Sequence, residues 1–239
     1  MHIEKMLNKK VCFVIYGAAS GIVEPIFQHF SNSDYVCIIN QSQPDYLLGR
    51  TLKSGVHDFE KELAESVSSI SDDVMIVFVN AAVFQVDKLF VGLGPSEIDK
   101  MLESNLHKPI AITGLLMREM LKRKCGRMIN LTSFRADAPT GGTSLYSGVK
   151  AFGNAFYKGL ALEYGRFDIT CNNVSIGFSD TKLLGSLGSE KFTEIKKKIS
   201  KKEFLPEEEF IGAITYLINS DYVNGSTLDI TGGLNFLDV

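Results

Sequence analysis

Apolar positions along the chain follow two alternating patterns. Six short runs, at 11–16, 35–40, 74–80, 127–132, 169–175 and 227–230, are largely apolar and mostly rich in aliphatic residues. Such runs predict strands covered on both faces, because a strand with one wet face would alternate polar and apolar residues. Longer segments lie between them, at 21–30, 59–69, 95–124, 144–164 and 206–219. Their mixed apolar and polar content predicts helices. Strands alternating with helices predict an α/β fold, a doubly wound parallel sheet in a single domain spanning 1–239. A further short strand is expected between Gln41 and Val56, where the pattern is weak.

Composition adds exclusions. With 25 basic and 28 acidic residues the net charge is −3, so no global basic field invites nucleic acid or anionic lipid. The longest apolar runs have strand length, far below the ~20 residues needed to cross a bilayer. The first residues, Met1-His2-Ile3-Glu4-Lys5, carry no signal-peptide core. Cys12, Cys37, Cys125 and Cys171 lie far apart without a Cys-x-x-Cys pair, so a reduced chain in the cytoplasm is expected. His2, His29, His57 and His107 show no ligand spacing, so no metal is expected. The one shift in composition spans 181–202, where the lysine-rich run 196–202 is followed at once by Glu207-Glu208-Glu209. This stretch is expected to be a mobile late insertion forming a substrate lid near 181–204. Its charges are expected to face water or each other.

Two segments carry chemistry. The first strand runs directly into Gly17-Ala18-Ala19-Ser20-Gly21-Ile22. Glycines there let the backbone approach a ligand, and the following helix offers free N–H groups and partial positive charge to a phosphate. A dinucleotide pyrophosphate is the usual guest of such a turn. The second segment runs from Ser133 to Lys150. Tyr146 and Lys150, four apart on a predicted helix, emerge from one face. An ammonium beside a phenol favours the phenolate and is expected to lower the tyrosine pKa towards neutrality, where it can exchange a proton with a carbonyl or alcohol oxygen.

The spacing Ser133-x12-Tyr146-x3-Lys150 resembles the signature of the short-chain dehydrogenase/reductases. So do Asn105 in Leu102-Glu103-Ser104-Asn105-Leu106, the turn Asn80-Ala81-Ala82, and the segment from Ile176 to Thr181. The closing glycines Gly225, Gly232 and Gly233 extend the likeness over nearly the whole chain. The resemblance implies a Rossmann-type sheet and a catalytic tetrad. Tyr146 would be the general acid/base, Lys150 its tuner and the holder of the nicotinamide ribose, and Ser133 the group polarising the substrate carbonyl. Asn105 would shape the active-site helix and a water-linked proton relay. The implied cofactor contacts are Gly17, Ala19, Ser20, Gly21, Ile22, Gln41, Ser42, Val56, Asn80, Ala81, Tyr146, Lys150, Gly177, Ser179 and Thr181. Within the family, motif order and length look most like the 3-oxoacyl-(acyl-carrier-protein) reductases. The sequence departs from the family pattern at Tyr16 (usually Thr), Val23 (the third loop glycine), Ala82 (Gly), Ile176 (Pro) and Thr231 (Asp).

The resulting expectation is an NAD(P)(H)-dependent oxidoreductase acting on a carbonyl or secondary alcohol. The expected substrate is a small-molecule or carrier-bound carbonyl compound, with a sugar or polyol as the other class. A catalytically silent nucleotide-binding module is the reading from a different functional class. NADP(H) is expected over NAD(H), because the second strand ends in Asn40-Gln41-Ser42-Gln43 with no carboxylate to repel a 2′-phosphate. A homotetramer or dimer is expected through the helix face at Ala151, Phe152, Phe156 and Tyr157 and through the apolar tail 234–239.

Overall fold

The computed structural model describes residues 10–17, 22–30, 35–39, 59–179 and 189–234. Six strands form one parallel sheet: β1 (Val11–Tyr16), β2 (Tyr35–Ile39), β3 (Met75–Asn80), β4 (Gly126–Ser133), β5 (Ile169–Ile176) and β6 (Thr227–Ile230). Their order is β2-β1-β3-β4-β5-β6, so the winding reverses between β1 and β3. Each strand begins and ends within one residue of the expected run. The strand expected between Gln41 and Val56 lies outside the described residues.

Alternation along β1 divides the core in two. Val11, Phe13 and Ile15 pack on one face against α1 (Val23–Phe30) and α7 (Glu207–Asn219). Cys12, Val14 and Tyr16 pack on the other against α2 (Phe59–Ser68), α4 (Lys108–Arg123) and α5 (Ser144–Tyr164). Both faces are therefore dry, which is why the strands read as continuous apolar runs. Val23, standing in place of a loop glycine, is 3% exposed and belongs to the first of these cores. Pro25 falls in the first turn of α1, where a missing N–H costs little.

One helical expectation needs correction. The segment 95–124 is not one helix. It divides into α3 (Pro95–Leu102), a π turn (Glu103–His107) and α4. Pro109 has no N–H to donate to the Asn105 carbonyl, as a continuous α-helix would require. Instead the Lys108 N–H reaches back five residues to the Glu103 carbonyl. The late insertion contains a short helix, α6 (Ser189–Lys198), while 180–188 lie outside the described residues. Lys196, Lys197 and Lys198 occupy its last turn, where the helix dipole favours cations. Ile199 just beyond is 1% exposed and bridges to Leu234, so this end of the segment is anchored to the body. No helix among the described residues is long and apolar enough to cross a membrane.

Candidate active site

The carboxyl ends of β1, β3 and β4 converge where the winding reverses, the position at which α/β sheets leave a ligand crevice. Gly17 leaves β1 at φ +121°, and a Cβ on it would lie 2.2 Å from the Ala81 carbonyl oxygen. Only glycine allows that approach. The Ala81 N–H in turn donates to the Tyr16 carbonyl at 2.7 Å, locking the two strand ends together. Tyr16 is 1% exposed, and its hydroxyl donates to the Ser104 carbonyl at 3.0 Å. The residue that departs from the family pattern thus ties the first strand to the π turn.

Beneath the crevice an asparagine ladder crosses the sheet. Asn80, Asn130 and Asn173 share one register across β3, β4 and β5. Asn80 donates to Asn130 at 2.9 Å, and Asn130 to Asn173 at 2.9 Å. Asn173 ends the ladder by donating to the Asn154 carbonyl on α5 at 3.3 Å. The Asn80 side-chain oxygen accepts the Ala82 N–H at 3.2 Å, fixing the turn after β3. Buried amides satisfied in this way specify one alignment of strands and helix.

The four expected catalytic groups meet at this edge. Ser133 closes β4, and its Oγ accepts the Arg135 N–H at 3.2 Å. The same hydroxyl lies near enough to the Tyr146 phenol to favour its ionised form. Lys150, one turn along α5, has its ammonium 5.7 Å from the Tyr146 ring centroid. It donates to the Ala82 carbonyl at 2.6 Å and the Leu131 carbonyl at 3.1 Å. Asn105 sits in the π turn with its amide fully engaged. It donates to the Phe84 carbonyl at 2.8 Å and the Met101 carbonyl at 2.9 Å, and accepts the Phe84 N–H at 3.1 Å.

The electrostatics differ from the simple expectation for a lysine beside a phenol. Burial pushes Tyr146 up to about 12, against the lowering effects of the Ser133 hydrogen bond and the Arg135 charge, while Asp87 adds to the rise. Burial also pulls Lys150 down to about 8. Desolvation outweighs mutual tuning here because the ammonium spends its hydrogen bonds on two backbone carbonyls rather than on the phenol oxygen.

Of the expected cofactor contacts, Gly17, Ile22, Asn80, Ala81, Tyr146, Lys150, Gly177 and Ser179 are described. Ala19, Ser20, Gly21, Gln41, Ser42, Val56 and Thr181 lie outside the described residues. Gly17, Asn80 and Ala81 form the crevice itself. Gly177 leaves β5, and a Cβ there would come within 2.9 Å of the Thr231 backbone, so two loops meet closely beside Ser179. Small residues at these turns are what a dinucleotide's phosphates need for close main-chain approach. Three residues escaped sequence reasoning, Asn130, Asn173 and Arg135, while Tyr16 was noted only as a departure from the family pattern. The two asparagines were detectable as polar residues inside otherwise apolar strands.

Comparison with known proteins places these features in a wider group. The profile of the enoyl-(acyl carrier protein) reductase family matches residues 56–235. Nodulation protein G of Azospirillum brasilense is 31% identical over 247 residues, covering 96% of this chain and all of that protein. The 3-oxoacyl-(acyl-carrier-protein) reductase of Buchnera aphidicola is 31% identical over 160 residues, 66% of each chain. Among solved structures, the ligand-free aldohexose dehydrogenase of Thermoplasma acidophilum superposes with a TM-score of 0.82 at 21% identity, over 96% of this chain and 95% of that one. At that identity the likeness is one of fold.

Proposed function

The chain belongs to the short-chain dehydrogenase/reductase family of oxidoreductases, and on that premise we propose that it reduces a carbonyl, or oxidises the matching secondary alcohol, with Tyr146 as general acid and base. The observation that carries this reading is the burial together of Ser133 at the end of β4 and of Tyr146 and Lys150 one turn apart on α5, with the Lys150 ammonium 5.7 Å from the phenol ring.

The roles follow from the geometry. The Ser133 oxygen already accepts the Arg135 N–H, so its own hydrogen is free to turn towards Tyr146 or a substrate oxygen. Tyr146, held protonated by burial, donates its phenolic proton to the carbonyl oxygen as that oxygen gains negative charge. Lys150 stabilises the phenolate left behind. Asn105 fixes the turn at Phe84 against the π turn, keeping the wall of the crevice in place. Gly17, Asn80, Ala81 and Lys150 would hold a nicotinamide dinucleotide, which when bound supplies the hydride for the carbonyl carbon.

NADP(H) is our choice over NAD(H), because Asn40-Gln41-Ser42-Gln43 offers no acid against a 2′-phosphate. A 3-oxoacyl thioester is the leading carbonyl class, in keeping with the names of the curated relatives, and a sugar or polyol is the second. Assembly into a tetramer or dimer would use the outer face of α5, where Phe152 is 42% exposed. Tyr157, expected on that face, is instead 2% exposed and belongs to the core. The test is cofactor oxidation against 3-oxoacyl thioesters, aldoses and neutral ketones, with NADPH and NADH side by side. Turnover of one class with NADPH ahead of NADH supports the reading. Absence of turnover on every class, with dinucleotide still bound, would favour a silent binding module.

A further inference from the structure

Arg123 and Arg127 are both drawn into the body of the protein and both are neutralised. Arg123, with 1% of its side chain exposed, lies 2.9 Å from the Glu119 carboxylate. Arg127, at 2%, pairs with Asp221 and with Asp168 at 3.5 Å. Arg135 is half-buried and differs from both. Its guanidinium donates to the Thr140 hydroxyl and lies 5.4 Å from the Phe134 ring centroid. Among the described residues no carboxylate forms an ion pair with it.

A guanidinium carries five donors, and one neutral hydroxyl meets few of them. A partly desolvated cation in that condition is completed by an anion, for which the planar fork is well shaped. Its position says which anion. The Arg135 backbone N–H donates to the Ser133 hydroxyl, while its guanidinium reaches Thr140 in the loop that leads into α5 and Tyr146. The cation therefore stands between the two segments that flank the reacting oxygen. Its charge also reaches the phenol, opposing the effect of burial on Tyr146.

We propose that Arg135 is an anion-recognition residue of the substrate site, holding a carboxylate or phosphate borne by the carbonyl substrate. The inference rests on the oxidoreductase reading but departs from its leading thioester class, favouring an oxo acid or a phosphorylated carbonyl compound over a neutral carbonyl.

Binding can be read apart from turnover by supplying oxidised cofactor, which cannot reduce a ketone. Isothermal titration calorimetry of the NADP+ complex compares acetoacetate with methyl acetoacetate, and dihydroxyacetone phosphate with dihydroxyacetone. The wild type should bind the charged member of one pair about tenfold tighter or more, as expected for a charge-assisted bidentate contact. Arg135→Met should erase that preference, and Arg135→Lys should restore part of it. The pair that responds tells carboxylate from phosphate. Equal binding within both pairs, or equal loss of the charged and neutral members in Arg135→Met, would overturn the proposal. Failure of the parent reading looks different: no hydride transfer to any carbonyl by the wild type, with the charge preference in binding intact.

Discussion

Replacing Lys150 with methionine isolates the electrostatic cost of its buried ammonium. Burial lowers Lys150 from 10.5 to about 8. Between those values the unfolded chain holds a proton that the folded protein has released, so stability rises with pH across the window. The rise is about 1.4 kcal/mol per pH unit, and at most about 3 kcal/mol in total. Well below pH 8 both states are protonated and this slope vanishes. The methionine variant lacks the group and therefore lacks the slope.

Urea unfolding of both proteins between about pH 7 and 9.5 measures the effect below the range in which the tyrosines ionise. The stability of the wild type minus that of the variant should grow by about 2 kcal/mol between pH 8 and 9.5. Loss of the bonds to the Ala82 and Leu131 carbonyls only offsets the difference curve. Cys12 and Cys171, both pushed up to about 12 by burial, titrate alike in the two proteins and cancel. A flat difference curve would refute the desolvated ammonium.

Two further substitutions test the frame around the site. Gly17→Ala drives a Cβ into the Ala81 backbone at a φ that alanine resists; a loss of about 2–4 kcal/mol in denaturant unfolding is expected, and a loss below about 0.5 would contradict the close approach. Asn173→Val removes the acceptor for Asn130 and the donor to Asn154. It should cost about 1–3 kcal/mol, whereas a neutral result would mean that the ladder does not hold the strands in register.

The sheet was legible in the sequence because strands buried on both faces, as β1, β3, β4 and β5 are, leave largely apolar runs. The proximity of Ser133, Tyr146 and Lys150 was legible because one strand end and one helix carry them, whereas Asn105 comes from the separate π turn. What escaped notice depends on partners distant in the chain. The π turn arises from Pro109 acting together with the Asn105–Phe84 bonds, which no local pattern reveals. Tyr146 was expected to be tuned downwards, but the depth of its burial and the carbonyl partners of Lys150 are properties of the packed fold.

The central claim is that the Tyr146 hydroxyl moves the proton, and Tyr146→Phe tests it most directly. The variant keeps the ring and loses only the acid, so dinucleotide binding measured by cofactor fluorescence should stay near that of the wild type. Turnover of the best carbonyl substrate should fall by about 10²-fold or more. Turnover within about twofold of the wild type, with binding intact, would contradict the account.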